Sequence, residues 1–151
     1  MKQFLAFLLI LFITLSSVQS IPNQFQKRQA PKFTECKGKF PEKFNVKLSP
    51  LPLAFGKTET VTVSGKLKKF ISDGTTLRLG ISNGDGDAIF SESADFCAVQ
   101  GSPCPAGPGT KFNTPVKFNL RNNNTPGPFK VLVRLEIGDE ILACSHGTVE
   151  K

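Results

Sequence analysis

The stretch FKVLVRLEIGDEILACSHGTV, Phe129–Val149, decides the fold. Phe129, Val131, Val133, Leu135 and Ile137 alternate with Lys130, Arg134 and Glu136. A period of two puts apolar side chains on one face of a strand and charges on the other. Leu132 alone breaks the pattern. Gly138-Asp139 is turn chemistry, and a second run from Ile141 to Val149 passes through Cys144. Two such runs divided by a short turn predict antiparallel strands with one buried face.

The same period recurs upstream. Phe44, Val46 and Leu48 alternate with Asn45 and Lys47, and Leu77, Leu79 and Ile81 with Thr76, Arg78, Gly80 and Ser82. Val61, Val63 and Leu67 alternate with Thr60, Thr62, Ser64 and Lys66, with Gly65 read as a bulge or bend. Val116, Phe118 and Leu120 alternate with Lys117 and Asn119, and a short strand is expected near Ala88–Ser91. Pro50-Leu51-Pro52, Asp73-Gly74, Asn83-Gly84, Gly101 to Gly109 and Asn122 to Pro128 punctuate these runs. No helical period persists beyond the N-terminal segment. The predicted fold is all-β, an immunoglobulin-like antiparallel sandwich of seven or eight strands.

The first residues read as a signal peptide over 1–20: Lys2, the apolar run Phe4–Leu15 and the small-residue pattern Val18-Gln19-Ser20. That run is shorter than the roughly 20 apolar residues needed to span a bilayer. Residues 21–32 form a polar arm with Lys27-Arg28, either a processing site or a solvated basic pair, and the domain follows over 33–151. Loss of Lys2, Lys27 and Arg28 would leave +4 of the formal net charge of +7, a mild charge compatible with anionic membranes.

Four cysteines behind such a signal imply disulfides, in one of three pairings. CAVQGSPC turns back sharply, which pairs Cys97 with Cys104 and leaves Cys36 with Cys144. The alternative is a Cys36–Cys97 bridge of immunoglobulin type. It lacks the tryptophan that packs on such bridges, and Cys36 precedes the first good strand.

The order of features then becomes specific. An early Cys36 is followed by FNVKLSPLPLAFGKTETVTVSGKLKKFISDGTTLRLGIS, a Phe90 segment, Asp95-Phe96-Cys97, Cys104-Pro105 and FKVLVRLEIGDEILAC. Over about Phe33 to Val149 this resembles the ML lipid-recognition family, which includes Niemann–Pick C-type sterol carriers and fungal phosphatidylglycerol/phosphatidylinositol transfer proteins. The fungal branch is the more similar, on VTVSGKL and ISDGTTL. Animal sterol carriers of the family have a third disulfide in the first hairpin, and no second cysteine lies between Cys36 and Phe55 here.

The resemblance implies a lipid cavity between two sheets, no catalytic residues and no cofactor. Its lining would come from Phe44 and Val46, Val61 and Val63, and Leu77, Leu79 and Ile81. Phe90, Phe96, Phe112, Phe118, Phe129, Val131, Val133 and Leu135 complete it. The mouth would lie at the loops around Phe90–Phe96 and Pro105–Phe112. Phenylalanine supplies every aromatic residue, 14 in all, and brings apolar area with no polar group to satisfy. Ordinary core packing would use it in the same way.

Lys66, Lys68 and Lys69 are candidates for transient membrane contact, or else lysines blunting an edge strand. NGDGD at Asn83–Asp87 lacks the glycine and terminal acid of a calcium loop, so it reads as a hairpin turn and no metal is expected. Asn123 opens a glycosylation sequon. His146 reads as a surface residue, no catalytic constellation is evident, and mixed surface charge argues against nucleic acid. The expectation is a monomeric carrier of phospholipid or sterol, secreted or routed to a vacuolar or lysosomal lumen. The competing expectation is a secreted sandwich module that recognises lipid, or presents it to a partner protein.

Overall fold

The computed structural model describes residues 30–150, so the expected signal peptide and most of the arm lie outside the described residues. Eight strands form: β1 (Thr34–Glu35), β2 (Phe44–Ser49), β3 (Thr58–Lys66), β4 (Thr75–Ser82), β5 (Ala88–Asp95), β6 (Lys111–Asn119), β7 (Phe129–Ile137) and β8 (Glu140–Val149). They make a five-stranded sheet, β1-β8-β7-β4-β5, and a three-stranded sheet, β2-β3-β6, with every pairing antiparallel. No helix occurs among the described residues, and none there is long and apolar enough to cross a membrane.

The alternating positions face inward. In β4, Leu77 sits between Ala94 and Leu135, Leu79 between Glu92 and Val133, and Ile81 between Phe90 and Val131. In β3, Val61 sits between Leu48 and Val116. These inner faces form one buried cluster that includes fully enclosed Phe96, Phe118 and Phe129. Each such side chain contributes roughly 1.5–3 kcal/mol by leaving water.

Three details differ from the sequence reading. β5 runs on to Asp95, well past Ser91, because its pairing with β4 continues to Thr76. Gly65 is no bulge: it pairs in unbroken register with Phe44 and Phe112. Glycine is needed there because a Cβ would stand 2.7 Å from the Lys43 carbonyl oxygen and 3.2 Å from the Phe112 ring. The irregularities fall instead at Ile81/Ser82 and Leu135/Glu136. β6 also includes Pro115, which it tolerates as an edge strand whose free side needs no donor.

Both expected disulfides are present, Cys36–Cys144 and Cys97–Cys104, with Cα–Cα distances of 5.4 and 5.1 Å. Cys36 follows β1, and its N–H donates to the Cys144 carbonyl at 3.1 Å. The first bridge therefore fastens an edge strand to β8 within one sheet. The second closes the turn after β5, near the backbone bridge between Ile71 and Ala106.

Candidate functional site

Fourteen of the fifteen candidate lining residues belong to the inner cluster, and Phe44 packs against it half-buried. Val61, Leu77, Leu79, Phe96, Phe129 and Val133 have no exposed surface at all. The two apolar faces are thus packed on one another, and the sandwich is closed at its centre.

Its two long sides differ. On the β2 side, the Glu42 N–H donates to the Leu142 carbonyl at 2.9 Å and joins the sheets. On the other side, β5 and β6 are the free edges of their respective sheets. One end of that margin is sealed by Phe96 against Phe112, edge to face at 6.1 Å. The other end opens as a groove of about 380 Å³ lined by Ile89, Phe90, Ser91, Glu92, Asn119 and Arg121. Of the residues expected near a mouth, Phe90 reaches this groove, whereas Phe96 and Phe112 plug the opposite end. Arg121, one residue beyond the β6 alternation that ends at Leu120, places a cation beside Phe90.

The loop from β2 to β3 folds over the same end. Phe55 meets Phe129 edge-on at 5.0 Å, and the Gly56 N–H donates to the Leu120 carbonyl at 2.9 Å. Beneath it lies Glu59, the cross-strand partner of Phe118 and fully buried. Neither carboxylate oxygen has a partner in hydrogen-bonding geometry. Burial pushes this carboxyl from 4.5 up to about 7, and nearby backbone groups of Ala54 and Ser49 oppose the shift weakly. Glu59 was legible in principle: it stands two residues before Val61 on the same face.

The lysines sit elsewhere. β3 ends at Lys66, opposite Lys111 of β6, and Leu67 turns inward, so Lys68 and Lys69 stand on a turn. β3 is the central strand of its sheet, which removes the edge-strand explanation for these charges. Glu42, 2% exposed, staples the turn: its Oε1 accepts from the N–H groups of Lys68 and Lys69 at 2.6 and 2.5 Å. Lys69 is ion-paired with Glu140, while the adjacent Phe70 is 60% exposed. A held turn thus presents Lys66, Lys68 and an exposed aromatic ring together. The staple and Phe70 were not anticipated.

NGDGD is a hairpin turn, with the Asp87 N–H donating to Asn83 Oδ1 at 2.8 Å. Asn123 lies in the β6–β7 loop, its Oδ1 accepting from the Thr125 N–H at 2.6 Å. His146 is exposed on β8, its Nε2 at 3.4 Å from Thr34 Oγ1.

The family model described as the ML domain matches residues 30–150. Among solved structures, the chain is similar to chicken MD-1 complexed with lipid IVa. The TM-score is 0.54 at 16% identity, covering 79% of this chain and 87% of that one. No curated protein sequence matches.

Proposed function

Because the chain belongs to the ML domain family, we propose that it takes a lipid between its two sheets and carries phospholipid or sterol between membranes. The observation that carries this reading is the β5/β6 margin, where the free edges of the two sheets face each other and a groove beside Phe90 borders the apolar interior. The lipid held by the similar MD-1 structure supports it. With the faces packed together, a lipid is admitted by parting the sheets at Phe90, and its chains replace contacts the two faces otherwise make with each other. Burying a few hundred Å² of hydrocarbon, at roughly 25 cal/mol per Å², gives several kcal/mol before ordering costs. No covalent step is needed.

Arg121 at the groove offers an anionic head group a guanidinium fork. Although Glu92 in the same groove offsets its charge, that fork makes phosphatidylglycerol or phosphatidylinositol the preferred cargo over sterol. A phosphate beside a guanidinium gains a charge-assisted hydrogen bond that a sterol hydroxyl does not. Lys66, Lys68 and Phe70 stand at the Phe112 end, away from the groove, and offer a separate contact with an anionic surface, each lysine adding about 1 kcal/mol there. Two disulfides fit an extracellular or lumenal compartment.

Transfer of fluorescent phosphatidylglycerol, phosphatidylinositol and sterol between vesicles tests the reading. The chain should accelerate the anionic phospholipids, and Arg121→Glu should slow them about tenfold, the loss of roughly one charge-assisted contact, with sterol unaffected. Rates equal to those of protein-free vesicles for all three lipids would remove the carrier function.

A further inference from the structure

The outer face of the five-stranded sheet holds a second, independent feature. Arg78 of β4 and Arg134 of β7 are direct cross-strand partners, so their side chains leave the sheet side by side on the face turned away from the interior. Like charges placed opposite one another in an antiparallel pair repel. Acids do little here to relieve them. Glu136 Oε1 is 3.9 Å from Arg134 Nη1, well beyond a charge-assisted hydrogen bond. Asp95, on the same face, is turned onto the N–H groups of Cys97 and Ala98. Arg78 has no ion pair among the described residues. Arg134 Nε is buried and has no hydrogen-bond partner.

Beside the two arginines is a hollow of about 260 Å³ whose other walls are Gly80, Ser91 and Leu132. Gly80 pairs with Ser91 on one side and Leu132 on the other, so its missing side chain leaves the floor low. A Cβ at Gly80 would meet Leu132 Cβ at 3.8 Å, an ordinary contact, so alanine fits without strain. Arg78, Arg134 and Ser91 thus line one recess large enough for a tetrahedral anion.

We infer that this outer-face recess is an oxyanion site, in which Arg78 and Arg134 hold a phosphate group between their forks with Ser91 as a further donor. Planar guanidinium groups match phosphate oxygens two at a time, and an anion between them turns a repulsive pair into a bridged one. The phosphate is either free in solution or the exposed head of a phosphomonoester lipid. The site lies across the sheet from the proposed interior, so it stands or falls apart from lipid carriage.

The test uses the folded, disulfide-intact protein in phosphate-free buffer at low salt, with inorganic phosphate as the probe and amide NMR shifts and thermal unfolding as readouts. Phosphate should shift the Arg78, Gly80, Ser91 and Arg134 amides saturably and raise the unfolding temperature. Arg78→Gln should unfold no earlier than wild type without phosphate, since it relieves repulsion, yet show binding at least tenfold weaker and lose the phosphate-dependent rise. Arg134→Lys, which keeps the charge but not the fork, and Gly80→Ala, which raises the floor, should each weaken binding too. Lys117→Ala, on the other sheet, should leave it unchanged. Non-saturable shifts, or an equal phosphate response in Arg78→Gln, would overturn the site. A second arm compares vesicles of phosphatidylcholine with and without phosphatidic acid. Phosphatidic acid binding that Arg78→Gln abolishes identifies a lipid source. Phosphate binding with vesicle association indifferent to Arg78→Gln identifies a free anion, and both results support the site.

Discussion

At Glu59 an ionisable carboxyl occupies an inner-face position that β3 otherwise gives to valine. The unfolded chain ionises near the ordinary 4.5, whereas the folded form keeps its proton up to about 7. The unfolded state therefore releases protons first as pH rises. The folded state loses stability between those values, by roughly 3 kcal/mol across the window, and the loss levels off above it. Denaturant unfolding at pH 5, 6, 7 and 8 should show this decline. Glu59→Gln, which cannot ionise, should flatten it, and an equally steep decline in the variant would place the titrating group elsewhere. The period of two identifies Glu59 as an inward residue once β3 is extended by two residues, from Thr60 to Thr58. What alternation cannot convey is how completely it is buried. That depends on which segments pack above it, here the loop through Ala54 and Phe55.

Among the elements, β5 and β6 matter most because they are edges facing each other across the open side of the sandwich. The strands themselves were readable from Leu77-Leu79-Ile81 and Val116-Phe118-Leu120. Their order was not, since pairing joins residues far apart in sequence: β3 with β6 across Val61 and Val116, and β4 with β7 across Leu79 and Val133. The placement of Lys66 on a central strand, the pairing of Arg78 with Arg134 and the opening beside Arg121 all follow from that order. If lipid is admitted by parting β5 from β6, tying these edges together must block it. Cysteines placed at Ile89 and Asn119, both bordering the groove, and joined by a short photocleavable thiol cross-linker should reduce lipid uptake at least tenfold. Light should restore it. Uptake undiminished in the cross-linked protein would mean that lipid is admitted elsewhere.

Over the whole molecule, the two disulfides and the strand register hold a frame around an interior made almost wholly of hydrocarbon. Cys36–Cys144, 108 residues apart, ties the β1 edge to β8, and a closed loop of about 100 residues is worth on the order of 4.7 kcal/mol in the chain-entropy model. If lipid enters as proposed, such a frame keeps the sheets' outer registers intact while their contact at the β5/β6 margin is exchanged for contact with lipid. Composition and alternation made the sandwich legible, and the disulfides followed from the short loop at Cys97–Cys104. The closed centre was not legible, because whether two apolar faces meet or stand apart depends on side-chain volumes across the sheets and on no pattern along one strand. The most direct measurement is native mass spectrometry of the delipidated, disulfide-intact protein after incubation with phosphatidylglycerol vesicles. A single added phospholipid per chain, retained after removal of the vesicles, is the predicted result. A spectrum of lipid-free protein alone would contradict a lipid held between the sheets.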